Sequence, residues 1–225
     1  MCGDYNSDIC RKTRAFTTFH MNTYILDTNL FFNMEPGLQL GKTTKDVLVR
    51  ATELMKAQKN ATYIMSPRIV DELKSFFDQE LPSYVEDFLV CVDIRSPDPA
   101  KVQFSASVFY ALIDDVRERN YKGLRAAEDE IRKAASQMMG KEVLPKQAFE
   151  MTVGANIQSF RTRYRNATRT GFIDSLADLD IIMLARELDG YIVTTDEGVL
   201  EWGRTFGVKE LPAELFAKHL EHDAA

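Results

Sequence analysis

Cysteine and histidine are scarce in this sequence of 225 residues, with three of each. Cys2, Cys10 and Cys91 show no paired spacing of the kind zinc sites use, and two of them fall within the first ten residues. His20, His219 and His222 lie towards the ends of the chain, far from the acidic motifs. Zinc, a disulfide framework and a His-based catalytic triad are therefore poor fits, and any metal would have to be held by carboxylates. No apolar run approaches the roughly 20 residues that span a bilayer. The first 21 residues also lack the apolar stretch of a signal peptide. They read as a tail or start-site extension, disordered, on a cytoplasmic protein. No repeat or low-complexity tract is evident, and there is a single tryptophan, Trp202.

What is present suffices for a folded enzyme. At 45% hydrophobic the chain can bury an ordinary core, and its length suits one domain carrying an insertion. The net charge of -6 argues at first sight against a nucleic-acid partner. Its distribution argues the other way: residues 101–170 hold 13 Lys and Arg against 8 Asp and Glu, a balance of +5 that leaves -11 elsewhere. An acidic body with a basic middle segment separates metal binding from polyanion binding. A solvated helical face accounts for the same count about as well.

Strand and helix signals alternate at both ends of the chain. Tyr24-Ile25-Leu26 is an apolar run ending in Asp27, and Thr62–Met65 is a second strand. Between them a helix is expected over residues 43–58, capped by Thr43 or Thr44. Pro67 opens another helix at a favoured position, with Ile69, Val70 and Leu73 on its inner face. A helix over 83–90 and a strand over 91–95 follow. After residue 171 the pattern resumes: a helix over 175–188 closed by Gly190, a strand over 191–195, a helix over 198–206 and a last helix over 212–220. Such alternation predicts a three-layer α/β fold with a parallel central sheet. Residues 105–169 carry no strand signal, only helical stretches broken near Gly140 and Pro145, so they read as an all-helical, protruding insertion. Its Val108, Phe109, Leu112, Ile113 and Val116 need burial that a lone hairpin cannot supply on both faces, which suggests self-association. Trp202 reads as core, and Phe160 and Tyr164 as packing residues.

Asp27 and Asp196 each follow an apolar strand, and in a parallel sheet both lie at the carboxyl edge, where open α/β sheets bind ligands. Asp174 and Asp178 are four apart around a helix start and can share a face if the first turn reaches back that far. Asp180 should point elsewhere on an ideal helix, and Glu72 could add a carboxylate from the helix after the second strand. Carboxylates gathered at one edge repel one another unless cations join them. Oxygen-only ligands suit Mg²⁺, or Mn²⁺ in its place. Ions so held activate phosphodiester hydrolysis. Singly, each Asp is as well explained as a cap or turn residue; together they are not.

The segments Ile25-Leu26-Asp27-Thr28-Asn29, Val70-Asp71-Glu72-Leu73 and Ile192-Val193-Thr194-Thr195-Asp196 resemble the PIN-domain nucleases. The long run from Gly171 to Trp202 is more specific, and is similar to the minimal protein-only RNase P family of bacteria and archaea, also known as RNA ligase partner proteins. The resemblance covers roughly Tyr24 to Leu220. It implies a PIN-like fold with a protruding helical subdomain, Mg²⁺-dependent removal of the 5′ leader of precursor tRNA without an RNA subunit, and assembly into homo-oligomers. It puts the catalytic carboxylates on Asp27, Asp174, Asp178 and Asp196, with Asp180 also present; Asp180 and, by its place on the helix after the second strand, Glu72 are expected as further metal ligands. RNA contacts fall on Arg161 and Arg165, with Arg163 and Arg169 beside them. The expected division is residues 22–97 with 171–220 as nuclease and 98–170 as the insertion for RNA binding and assembly. Two rivals remain: a toxin-like PIN endoribonuclease acting on other RNA, and a non-catalytic RNA-binding partner of an RNA ligase. The helical insertion counts against the first and the full acidic set against the second.

Overall fold

Strand β1 (Asn22–Leu26) runs through the centre of a five-stranded sheet, and the order of chain elements explains why. The computed structural model describes residues 22–222 apart from 34, 36, 78, 79, 141, 142 and 174. The expectations for the N-terminal tail and for Asp174 thus lie outside the described residues. After β1 come α1 (Asn29–Phe32), α2 (Thr44–Ala57), β2 (Ala61–Met65), α3 (Pro67–Ser75), α4 (Ser83–Leu89) and β3 (Asp93–Ile94). The long helices α5 (Ser107–Met138) and α6 (Lys146–Arg169) follow. The chain then forms α7 (Leu176–Leu188), β4 (Tyr191–Val193), α8 (Glu197–Phe206), β5 (Lys209–Glu210) and α9 (Ala213–His222). Strand order is β3-β2-β1-β4-β5 and every pair is parallel, with Ile25 opposite both Ile64 and Ile192. The central strands β2, β1 and β4 end in buried, continuous apolar runs rather than alternating ones, as a sheet covered on both faces requires, whereas the short edge strands β3 and β5 are largely open. Ile25, Leu26, Met65, Ile192 and Val193 are fully enclosed.

Strand order reverses between β1 and β4, the switch point at which the loops that follow two adjacent strands turn to opposite sides and leave a crevice. Local chemistry fixes the helices that flank it. Thr43 and Asp46 form a reciprocal capping box at the start of α2, the Ser66 hydroxyl accepts from Ile69 N ahead of Pro67, and the Ser175 hydroxyl accepts from Asp178 N.

Some boundaries differ from expectation. The strand expected over 91–95 shrinks to Asp93–Ile94, because residues 90–92 finish the turn leaving α4. Helix α7 is closed by Asp189 in the left-handed region (φ 51°), one residue before Gly190. Gly190 serves another purpose: a Cβ there would sit 2.6 Å from the Ile25 side chain.

The middle segment is a hairpin of α5 and α6. Gly123 lets the helices close, since its face meets the Tyr164 ring at 2.8 Å from where a Cβ would lie. The expected apolar stripe is divided. Val108 is buried in the body and Leu112 packs against it, while Phe109, Ile113 and Val116 are exposed. Trp202 is core, and Phe160 packs on Tyr164 as expected.

Candidate active site

Asp27 stands at the carboxyl end of β1 and is almost wholly buried, at 6% exposure. Its backbone N–H still bonds Val193 O at 3.2 Å, which ties it to the end of β4. Thr194, the next residue after β4, donates its hydroxyl hydrogen to Asp27 Oδ2. The same hydroxyl oxygen accepts from Asn29 Nδ2 at 3.1 Å and from Asp196 N at 3.0 Å. Asn29 Oδ1 in turn accepts from Thr195 N at 3.1 Å. One threonine hydroxyl, with its single donor and two lone pairs all used, therefore joins the loops after β1 and β4 at the switch point.

Asp196 is the N-cap of α8. Its Oδ1 accepts from Gly198 N at 2.7 Å and Val199 N at 3.2 Å, which leaves the side chain fixed and partly open. Gly198 keeps this approach close: a Cβ there would lie 3.0 Å from Asp196 Oδ1 and 3.2 Å from the Gly171 backbone, which passes over this helix start, so a larger residue would press on both. Asp178 lies in the first turn of α7, near enough to act electrostatically on Asp27. Glu72 is exposed on α3, and the Thr28 hydroxyl lies 3.4 Å from its Oε2.

Burial pushes the Asp27 carboxyl up to about 6, with Glu72 and Asp178 adding to the rise and the Thr194 hydrogen bond opposing it. A buried carboxylate that other carboxylates discourage from ionising is a site that a cation would stabilise. The donors are all oxygens, which fits a hard divalent ion. No cluster of three acidic, histidine or cysteine side chains placed to hold a metal occurs among the described residues, to which Asp174 does not belong.

The remaining predicted residues divide. Asp180 is 7% exposed and its Oδ2 is paired with Arg68 Nη1 at 2.7 Å. Arg163 faces α5, with Nη2 on Asp129 at 2.8 Å and Nη1 on Glu130 at 3.0 Å, so it braces the hairpin instead of continuing the basic stripe. The Arg161 and Arg165 side chains form no ion pair or hydrogen bond among the described residues and, with that of Arg169, are exposed on α6.

Sequence reasoning missed two arginines, Arg68 and Arg119. Arg119 on α5 donates to Thr170 O at 2.7 Å and to Gly171 O at 3.0 Å, pairs with Asp115 at 2.8 Å, and lies 4.9 Å from the Phe172 ring centre. It satisfies carbonyls left over at the end of α6 and fixes the segment that leads into α7. The only signal for Arg68 was its place four residues ahead of Glu72 on a helix opened by proline.

Residues 23–223 match the PINc domain ribonuclease family. Among curated proteins, the chain is 32% identical to the RNA-free ribonuclease P of Pyrococcus furiosus, over 89% of this chain and 94% of that one. It is 31% identical to the protein of that name from Thermodesulfovibrio yellowstonii, over 87% and 92% of the two chains. It is also 31% identical to that from Methanopyrus kandleri, over 91% and 95%. With Asp27 and Asp196 joined through Thr194 at the switch point of a parallel sheet, and with likeness along almost the whole length, the chain belongs to the RNA-free ribonuclease P family of PINc-domain ribonucleases.

Proposed function

We propose that this protein is a metal-dependent endoribonuclease that removes the 5′ leader of precursor tRNA without an RNA subunit, leaving a 5′-phosphate. The observation that carries this is the buried Asp27 at the carboxyl edge, held by Thr194 against the turn that presents Asp196. Asp27, Asp178 and Asp196, with Asp174 from the segment before α7, are the proposed catalytic carboxylates and Mg²⁺ ligands. Glu72 lends negative charge from α3. When bound, such a cation supplies Lewis-acid activation of the scissile phosphate and of the attacking water. The chain's own part is geometric. Thr194 and Asn29 hold the Asp27 carboxylate in one orientation, and the N-cap bonds of Asp196 fix its open oxygen. The substrate's 3′-oxygen leaves as the water adds in line.

Residues 98–170 form the proposed unit for RNA binding and assembly, set on a nuclease of residues 22–97 and 171–220. Arg161, Arg165 and Arg169 recur every four residues on α6 and make a stripe about 12 Å long by helix rise. Such a stripe contacts phosphates and reads the shape of folded RNA. The exposed Phe109, Ile113, Val116 and Ile131 of α5 suit burial against further copies of the chain. No helix is long and apolar enough to cross a membrane among the described residues, in keeping with work in the cytoplasm.

Incubating the purified chain with precursor tRNA and Mg²⁺, with and without EDTA, tests the activity. A mature 5′-phosphorylated tRNA that disappears with EDTA is the expected result. Cleavage confined to single-stranded loops would replace this reading with a toxin-like one, and no cleavage with a binding role. Light scattering at micromolar concentration tests assembly, and a monomer would exclude it.

A further inference from the structure

We propose that Arg68 contacts a backbone phosphate of the RNA at the edge of the acidic site, and that Asp180 is its positioning residue and not a metal ligand. The inference rests on the reading of the substrate as RNA given above.

Arg68 is the second residue of α3, whose start is fixed by the buried Ser66 cap and by Pro67 directly after β2. It therefore stands at the same carboxyl edge as Asp27. Glu72, one turn along α3 on the same face, reaches the Thr28 hydroxyl beside Asp27. On the other side, Asp178 and Asp180 are two apart on α7, about 200° around the helix by its geometry. Asp178 acts on Asp27, and Asp180 turns to Arg68.

The pair is lopsided. The Asp180 side chain is 10% exposed and that of Arg68 is 53% exposed. A buried carboxylate needs a partner, and Arg68 supplies a charge-assisted bond of 2.7 Å through one amino group. A guanidinium has five N–H donors in a rigid plane. Among the described residues, the Arg68 side chain makes no hydrogen bond other than that to Asp180. Its outward edge is thus a preoriented donor fork beside carboxylates that would otherwise repel a polyanion, and two parallel N–H groups match two phosphate oxygens. An Asp180 carboxylate already committed to an arginine is a poor candidate for a cation as well.

Arg68→Ala, Arg68→Lys, Asp180→Asn and the Arg68→Ala/Asp180→Asn double variant are compared with the unaltered full-length chain. Calorimetry measures Mg²⁺ binding without RNA, and precursor tRNA binding is measured in EDTA across a salt series. Mg²⁺ affinity should change by less than about twofold throughout. Arg68→Ala should weaken RNA binding by about tenfold, the worth of one charged contact. It should also reduce the slope of log affinity against log salt by about one. Arg68→Lys should keep the slope and regain part of the affinity. On the Asp180→Asn background, losing Arg68 should cost much less than in the unaltered chain, because the anchor is already gone. A tenfold or greater loss of Mg²⁺ affinity in Asp180→Asn would make Asp180 a ligand and overturn the assignment. So would an Arg68→Ala protein with unchanged RNA affinity and salt slope. If Asp180→Asn unfolds, the two Arg68 variants decide. Failure of the nuclease reading shows separately, as no cleavage and no Mg²⁺ binding by the unaltered chain. The salt series on any structured RNA still tests Arg68 in that case.

Discussion

The Thr194 hydroxyl donates to the Asp27 carboxylate across 167 residues of sequence, and it accepts from Asn29 and from the Asp196 backbone at the same time. Removing that hydroxyl while keeping the shape strands the donors of Asn29 and Asp196 and releases Asp27. Thr194→Val should therefore lower cleavage and Mg²⁺ affinity by roughly 10–100-fold, as loss of a carboxylate's supporting bond does at other metal sites. It should also cost about 1–3 kcal/mol of stability. Thr194→Ser should restore most of both. Parallel Mg²⁺ titrations and denaturant melts check this, and a Val variant with unaltered Mg²⁺ dependence would remove Thr194 from the site.

Asp27 also predicts a pH dependence with a definite sign. Burial raises its carboxyl from 3.8 to about 6 in the folded, metal-free protein. Between those values the folded state holds the proton more tightly than the unfolded one. The metal-free protein should accordingly lose stability as pH rises from about 4 through 6, by roughly 3 kcal/mol at 1.36 kcal/mol per pH unit. Mg²⁺ competes with that proton, so at subsaturating Mg²⁺ activity should fall as pH drops below about 6. Raising Mg²⁺ should shift the fall to lower pH. Denaturation of the native chain and of Asp27→Asn in EDTA at pH 5 and 7 isolates the contribution, and the Asn variant should lack the slope.

Asp196 caps α8 and is also a proposed Mg²⁺ ligand, and two substitutions separate the cap from the proposed role. Asp196→Asn keeps an acceptor for Gly198 N and Val199 N and should melt near the native temperature while losing cleavage. Asp196→Ala removes the cap as well and should cost about 1 kcal/mol more. Near-native turnover by the Asn variant with Mg²⁺ as the only cation would rule Asp196 out as a ligand. The corresponding Ala changes at Asp27, Asp174 and Asp178 should each abolish cleavage and leave RNA binding.

The arginines of α6 are expected to fall into two classes. Replacing Arg161 and Arg165 together with Ala should weaken precursor tRNA binding, flatten its salt dependence and raise KM, with the single-turnover rate largely recovered at saturating RNA. Arg163→Ala should instead lower the melting temperature, since it strands the buried Glu130 and the exposed Asp129. Equal effects of the two changes on binding and on stability would show that no such division exists.

Much of this was legible in the sequence, for physical reasons that differ from element to element. The buried strands announce themselves as apolar runs with an aspartate at each end of interest, so Asp27 and Asp196 could be placed at one edge before any contact was known. The 3.6-residue period identified the helices, and the break at Gly140 and Pro145 identified the hairpin. Strand β5 was missed because two residues, Lys209 and Glu210, pair without any pattern of their own. Ion pairs were the other blind spot. Arg68 meets Asp180 across 112 residues and Arg163 meets Asp129 across 34, and no local period encodes either. Arg163 was grouped with Arg161, Arg165 and Arg169 as an RNA contact, although residues 161, 165 and 169 share one helical face and 163 does not. That geometry predicts an arginine facing elsewhere, and the acidic side chains of α5 supply what it faces.

The site's two halves are made far apart in time as well as in sequence. During synthesis, Asp27 emerges early and must wait for β4, which is translated after the whole α5–α6 hairpin. Until Thr194 arrives, the carboxylate has no hydroxyl to orient it and no neighbouring strand on that side. A nascent chain thus carries the whole α5–α6 hairpin, with Arg161, Arg165 and Arg169, before Thr194 can meet Asp27.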